Sequence, residues 1–172
     1  MDKHLMVSSN VSKSVSLLIS ILVRYPELGT INYDPKNHIL KFTFLIAKLI
    51  SDSEYRLLEE KLSAGIEVYH QLRGSSDYVF KVKTTRFGRV TVVDIKRDVT
   101  TLSQEELSLM IEVLREQWGD VLVVDENDAV LEEELLIQEE LIEEMLEDLK
   151  DGAQGKNLIA FREEGRVLVF NK

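Results

Sequence analysis

The sequence predicts an α+β protein with an antiparallel sheet, on three observations. Segments with the 3.6-residue periodicity of amphipathic helices alternate with short segments rich in β-forming residues. Three pairs of these β-rich segments are joined by short connections that contain glycine, proline or asparagine, which is typical of hairpins. Two Ser-x-x-Glu sequences, beginning at Ser51 and Ser103, have the spacing of helix capping boxes.

The first half of the chain predicts a helix, a hairpin and a second helix. Apolar residues recur at helical spacing from Val11 to Leu22, and Pro26 then prevents the helix from continuing. Residues 31–33 and 39–47 flank an Asp-Pro-Lys-Asn turn and predict two paired strands. The capping box at Ser51 begins a long helix, which the sequence ends before Gly74.

The next segments predict a second hairpin, from residues 78–85 and 90–97, and a helix that begins after Ser103 and ends before Gly119. Residues 121–124 are an unbroken apolar run, which favours a strand buried on both faces. From residue 39 to 124 the order is therefore strand, helix, strand, strand, helix, strand. This order predicts a ferredoxin-like βαββαβ core, because two helices of this length can cover one face of a four-stranded sheet.

The predicted division of the chain falls near residue 128. Residues 1–128 are expected to form an α+β domain that contains the N-terminal helix and the ferredoxin-like core over 39–124. Residues 129–172 are expected to add an acidic helix and a β-hairpin, packed on the same domain or on a partner subunit. The sequence leaves both arrangements open.

Charge is distributed unevenly along the 172 residues, whose formal net charge is −10. Residues 1–100 carry 15 Lys or Arg against 11 Asp or Glu, whereas residues 101–172 carry 6 against 20. Acidic surfaces repel phosphates and anionic lipids, which disfavours nucleic acid and membrane as partners. The chain has no cysteine, which gives no sign of an oxidising compartment and favours the cytoplasm. The apolar stretch at 15–23 is shorter than the ~20 residues of a membrane-spanning helix.

Motifs of catalysis and cofactor binding are not found in the sequence. The glycine spacing matches neither the dinucleotide-binding nor the Walker A pattern, and no serine lies in Gly-x-Ser-x-Gly. Glu67 and His70 have the Glu-x-x-His spacing of di-iron helices, but His4 and His38, the other two histidines, lie in no such motif. We therefore expect Glu67 and His70 to be a surface pair, and we predict no catalytic residue, metal or cofactor.

A basic hairpin is the first feature that suggests an interaction site. Residues 73–97 hold seven basic residues against two acidic ones. The predicted interaction patch consists of Lys81, Lys83, Arg86, Phe87 and Arg89. Because alternate residues of a strand share a face, Lys81 and Lys83 form a positive stripe, and Phe87 at the tip would stack on a base. An ordinary solvated strand face is the alternative.

The acidic helix is the second such feature. Between Asp120 and Asp151 the sequence has 14 acidic residues and one lysine, interleaved with leucine and isoleucine. The heptad positions that predict an interface helix are Leu131, Leu135, Ile142, Met145 and Leu149. An apolar face of this width needs a cover, which is either the core of its own chain or a partner subunit. Because its charge is opposite to that of the hairpin, the two are expected to meet, within one chain or between two.

These features predict a non-enzymatic cytoplasmic protein that acts through protein–protein contact, as a regulator or accessory factor. The partner is another protein or a second copy in a homodimer. The first alternative is a regulatory domain that senses a small ligand, since ferredoxin-like sheets often hold one at a dimer seam. The second is an RNA-binding factor that uses the basic hairpin.

Overall fold

The computed structural model describes residues 9–74, 77–124, 132–150 and 155–171, with only the backbone described for 9–12 and 132. Ten elements follow one another along the chain. They are α1 (Ser9–Arg24), β1 (Thr30–Asp34), β2 (Ile39–Ile46), α2 (Asp52–Leu72), β3 (Phe80–Phe87), β4 (Val90–Asp98), α3 (Gln104–Trp118), α4 (Glu132–Lys150), β5 (Leu158–Glu163) and β6 (Arg166–Asn171). The predicted α+β class with an antiparallel sheet is confirmed.

All six strands form one antiparallel sheet in the order β3-β4-β2-β1-β5-β6. Local sequence explains the tight turn between β5 and β6, where Glu164 and Gly165 both have positive φ (51° and 78°). Two successive residues with positive φ are what a type I′ hairpin turn requires. This hairpin joins the sheet through β5, which pairs with β1, so strands far apart in sequence are neighbours.

The predicted ferredoxin-like core is not confirmed. The first four elements of the predicted core, strand-helix-strand-strand, are present as β2, α2, β3 and β4. As in a ferredoxin-like sheet, β4 lies between β2 and β3, the two strands that α2 connects. The prediction of a last strand at residues 121–124 is wrong. That segment meets β2 only through an isolated bridge between Leu122 and Ile46, since β1 pairs with β2 along its whole length and occupies that side.

One face of the sheet packs against helices and forms the core. Alternate residues of β1, β2 and β4 are buried, for example Ile31, Phe42 and Ile95, which are opposite one another in register. The apolar stripes of the helices pack in the same cluster. The capping box predicted at Ser51 is present: its side chain accepts from the Glu54 amide, and the Glu54 carboxylate accepts from the Ser51 amide.

The acidic helix α4 packs on its own chain, mainly against α1. Of the predicted interface residues, Ile142 and Leu149 are buried in the core, Met145 packs partly buried against it and Leu135 is half-buried. Leu131 lies outside the described residues. Arg24 of α1 forms an ion pair with Glu139 of α4. Three other apolar residues of this helix are exposed, namely Leu136, Ile137 and Leu141.

Candidate functional site

The sheet face opposite the helices, termed the open face, is the candidate functional site. Its side chains are half-buried or exposed, whereas those of the opposite face form the core. Strand alternation and register place these residues on it: Thr30, Asn32, Asp34, Ile39, Lys41, Thr43, Leu45, Lys81, Lys83, Thr85, Phe87, Val90, Val92, Asp94, Lys96, Ile159, Phe161, Glu163, Arg166, Leu168 and Phe170.

Three lysines lie side by side across the open face. Lys81 of β3 is directly opposite Lys96 of β4, and Lys96 is directly opposite Lys41 of β2. These three residues are termed the lysine row. None of them forms an ion pair within the described part of the chain. Two carboxylates lie on the same face near the lysine row, and both accept other hydrogen bonds. That of Asp94 accepts one of 2.6 Å from the Thr43 hydroxyl, and that of Asp34, which lines a pocket with Lys41 and Lys96, accepts one of 2.7 Å from the Asn37 side chain.

This arrangement works against the stability of the sheet, because like charges directly opposite one another repel. Lysines are common on edge strands, where they prevent pairing with another sheet, and this explains Lys81 on β3. It does not explain Lys96 and Lys41, which lie on inner strands. Among the described residues no ion pair offsets this repulsion.

A stability measurement checks this repulsion. We expect Lys96→Gln, which removes the middle charge of the lysine row, to raise the free energy of unfolding by roughly 0.5 kcal/mol at low salt. The gain should shrink in 1 M NaCl, where such charges are screened. The matched control is Lys61→Gln on the exposed surface of α2. Urea denaturation of both variants gives the values, and a clear loss of stability in Lys96→Gln would contradict the expected repulsion.

The other half of the open face is mainly apolar, with the charged pair Glu163 and Arg166 at the end of β5 and β6. Its apolar patch consists of Leu45, Val123, Val124, Ile159, Phe161, Leu168 and Phe170. The rings of Phe161 and Phe170 stack with their centroids 5.6 Å apart. Five of the seven residues, all except Leu168 and Phe170, line an open groove of about 540 Å³. The exposed fraction reaches 46% at Val123 and 47% at Phe170, so a large apolar area faces solvent.

The structure divides the interaction patch predicted from the sequence. Lys81 and Lys83 lie on the open face, as their alternation implied. Arg86 lies on the other side of the strand and donates to the Ile50 carbonyl at 3.1 Å. Phe87 and Arg89 are exposed at the hairpin tip. The charged neighbours of Lys81 on the open face are instead Lys96 and Lys41. They could be identified as its neighbours only from the strand register.

A buried ion cluster joins α2, α3 and β4 on the core side of the sheet. Arg97, with no exposed surface, forms ion pairs with Glu106 and Asp98, and its Nη1 donates to the Val79 carbonyl at 2.8 Å. His70 Nε2 lies 2.7 Å from Glu106 Oε1. Glu106 is fully buried and His70 is 2% exposed. Substrate has no access to these groups, and their geometry is that of an internal connection between elements.

This cluster corrects two expectations from the sequence. His70 is not part of a surface pair with Glu67, because its ring points into the core and stacks on Tyr78 at 4.3 Å. Arg97 does not contribute to the basic surface of the hairpin, because it shares the buried face of β4 with Val93 and Ile95. The alternation of β4 could have predicted this, because it places Arg97 on the same face as Val93 and Ile95. An arginine buried in this way requires carboxylates around it.

Asp98 titrates below the ordinary range for an aspartate. Burial opposes its ionisation, but hydrogen bonds from the Val79 amide and the Thr100 and Thr101 hydroxyls, together with Arg97, outweigh this and set its pKa at about 2. A carboxyl with a lower pKa in the folded state stabilises the fold above its unfolded pKa. That contribution is lost as the pH falls from about 4 to about 2.

We therefore expect Asp98→Asn to lower the free energy of unfolding at pH 7 by roughly 2 kcal/mol. The variant should also lose less stability than the wild type between pH 4 and pH 2, because the titrating group is absent. Urea denaturation across this pH range measures both effects. Asp77→Asn, at an exposed carboxylate, is the control, and equal pH profiles for Asp98→Asn and the wild type would contradict the expectation.

The described residues hold no group of three or more His, Asp or Glu side chains that could bind a metal ion. Within the same described residues, every helix is too short or too polar to cross a membrane. The candidate site consists of the lysine row and the apolar patch, side by side on one surface.

No protein-family model, curated protein or solved structure matches this chain.

Proposed function

We propose that this chain is a non-enzymatic accessory protein that binds another protein through the open face of its sheet. The observation that carries the proposal is the combination, on one surface, of an exposed apolar patch and lysines in register that form no ion pair with the described residues. Apolar area supplies binding energy, while such charges supply orientation and specificity. The buried ion cluster is closed to solvent, so the proposal assigns binding to the open face and not to this cluster.

Capture of a partner from the native source tests the proposal, with variants that separate the open face from the rest of the surface. The wild type, a Val123→Asp/Phe170→Asp variant and the control Lys61→Glu are compared after circular dichroism has shown that all three fold. We expect the control to retain proteins that the open-face variant loses. Equal capture by all three would overturn the proposal.

A small ligand in the groove is a second candidate. The volume of about 540 Å³ lies within the range of small-molecule sites, and Leu45, Ile159 and Phe161 give it an apolar lining. A thermal-shift screen of apolar carboxylates tests it, because a ligand in large excess over its Kd raises the unfolding temperature. A shift that Val124→Asp abolishes would favour the ligand-sensing function over partner binding.

A further inference from the structure

We propose that the segment docked on the open face is an acidic, amphipathic segment of a different protein, with its carboxylates over the lysine row and its apolar side chains over the apolar patch. This inference rests on the proposed function and names its partner chemistry. It starts from the three lysines, because none has a carboxylate partner among the described residues. A partner that supplies carboxylates would relieve a repulsion already present in the free protein.

The dimensions of the open face define the length of the segment. Strands lie about 4.8 Å apart, so the lysine row spans roughly 10 Å, and Phe170 on β6 lies roughly 14 Å beyond Lys41. The whole face therefore takes a segment of about 24 Å, which is roughly 16 residues of helix. Helical carboxylates at i and i+4 are about 5–6 Å apart, a spacing that the lysine side chains can match.

Single-stranded nucleic acid is the competing anion, and the placement of the aromatic rings disfavours it. Sites for single strands interleave base-stacking aromatic side chains with basic ones. Here the inner strands β4, β2 and β1 place no aromatic side chain on the open face. Three phenylalanines share this face: Phe161 and Phe170 stack on each other beyond β1, and Phe87, opposite Val90 at the tip of β3, is far along the strand from Lys81, so none of them lies between the lysines. The rest of the apolar patch is aliphatic. Aliphatic surface fits leucine and isoleucine side chains better than bases.

The chain contains one segment of the required chemistry, but its position excludes it as the occupant. Helix α4 is acidic and exposes Leu136, Ile137 and Leu141, yet it packs on α1, which lies on the core side of the sheet. The lysine row and α4 therefore do not meet within one molecule. Between two copies the contact would join opposite sides of the molecule, and such a heterologous contact builds rings or open filaments and not a two-fold dimer. We therefore assign the site to a different protein, and sedimentation tests self-assembly.

Fluorescence anisotropy with the full chain tests the inference. The probe is a labelled synthetic peptide of sequence EEELLIQEELIEEMLEDLK, which has the required charge and apolar spacing. Two further probes are the same peptide with lysine at every acidic position and a 12-nucleotide poly-uridylate. We expect the acidic peptide to bind at 50 mM NaCl and to bind about tenfold more weakly to Lys81→Glu/Lys96→Glu. Lys61→Glu should bind it like the wild type.

The outcomes separate this inference from the proposed function. Tighter binding of poly-uridylate, or equal binding of the two peptides, would overturn the acidic partner. Sedimentation that shows the free chain growing with concentration into assemblies that Lys96→Glu dissolves would replace the different protein with a second copy. If the acidic peptide fails to bind while capture of a partner still depends on Val123 and Phe170, the partner chemistry is wrong and the proposed function stands. If the peptide fails to bind and partner capture does not depend on the open face, both the acidic partner and the proposed function are wrong.

Discussion

Replacing Arg97 with methionine should lower the free energy of unfolding by about 3–5 kcal/mol, the usual effect of removing one member of a buried ion pair. The side chain has no exposed surface, and its loss leaves the carboxylate of Glu106 fully buried, with His70 as its remaining ion-pair partner among the described residues. Methionine fills a similar volume to arginine but carries no positive charge to neutralise Glu106. Urea denaturation followed by circular dichroism measures the change.

Arg73→Met is the matched control for this prediction. Arg73 also lies near a carboxylate of α3, that of Glu105 at 3.7 Å, but the two side chains are 54% and 69% exposed. Exposed ion pairs contribute about 0–1 kcal/mol, so the control should lose far less stability. The double variant Arg97→Met/Glu106→Leu should regain part of the loss, because it leaves no uncompensated charge on Glu106. Similar losses for Arg97→Met and Arg73→Met would show that the ion cluster is not a dry internal site.

Replacing Phe42 with alanine should lower the free energy of unfolding by about 3–5 kcal/mol, because the cavity that remains adds to the loss of buried apolar area. Phe42 lies on the inner strand β2, and its cross-strand neighbours Ile31 and Ile95 are also fully buried. The strands fix these neighbours, so the core cannot collapse into the cavity.

Thr43→Ala is the control for Phe42→Ala, because it changes the next residue of the same strand on the open face. It removes the hydrogen bond to Asp94, and its expected effect is about 1 kcal/mol. Equilibrium unfolding by urea gives both values under the same conditions. A loss in Phe42→Ala as small as that in the control would mean that β2 is not the centre of the core.

Local sequence predicted the helices and hairpins well, because caps, turns and periodicity act over a few residues. The capping box at Ser51 and the glycine turn at Gly165 are of this kind. The place of residues 121–124 could not be predicted this way, since an apolar run does not show that β1 already occupies the side of β2. The order of strands depends on contacts between distant parts of the chain.

The candidate site, like the strand order, could be predicted only in part from local sequence. Alternation correctly placed Lys81 and Lys83 on one face, but the neighbours of Lys81 are Lys96 and Lys41, which come from two other strands. Only the register brings these three charges into one row. The apolar patch was missed for the same reason, because Leu45, Val123 and Ile159 are far apart in sequence and meet only in the folded sheet.

The position of β1 between β2 and β5 has a consequence for the order of folding. During synthesis β1 can pair at once with β2, which follows it after four residues, but β5 begins more than a hundred residues later. Until that segment leaves the ribosome, one side of β1 keeps its amides and carbonyls unpaired, and such an edge readily adds strands from other chains. Release of the nascent protein before Leu158 would therefore yield a species prone to aggregation.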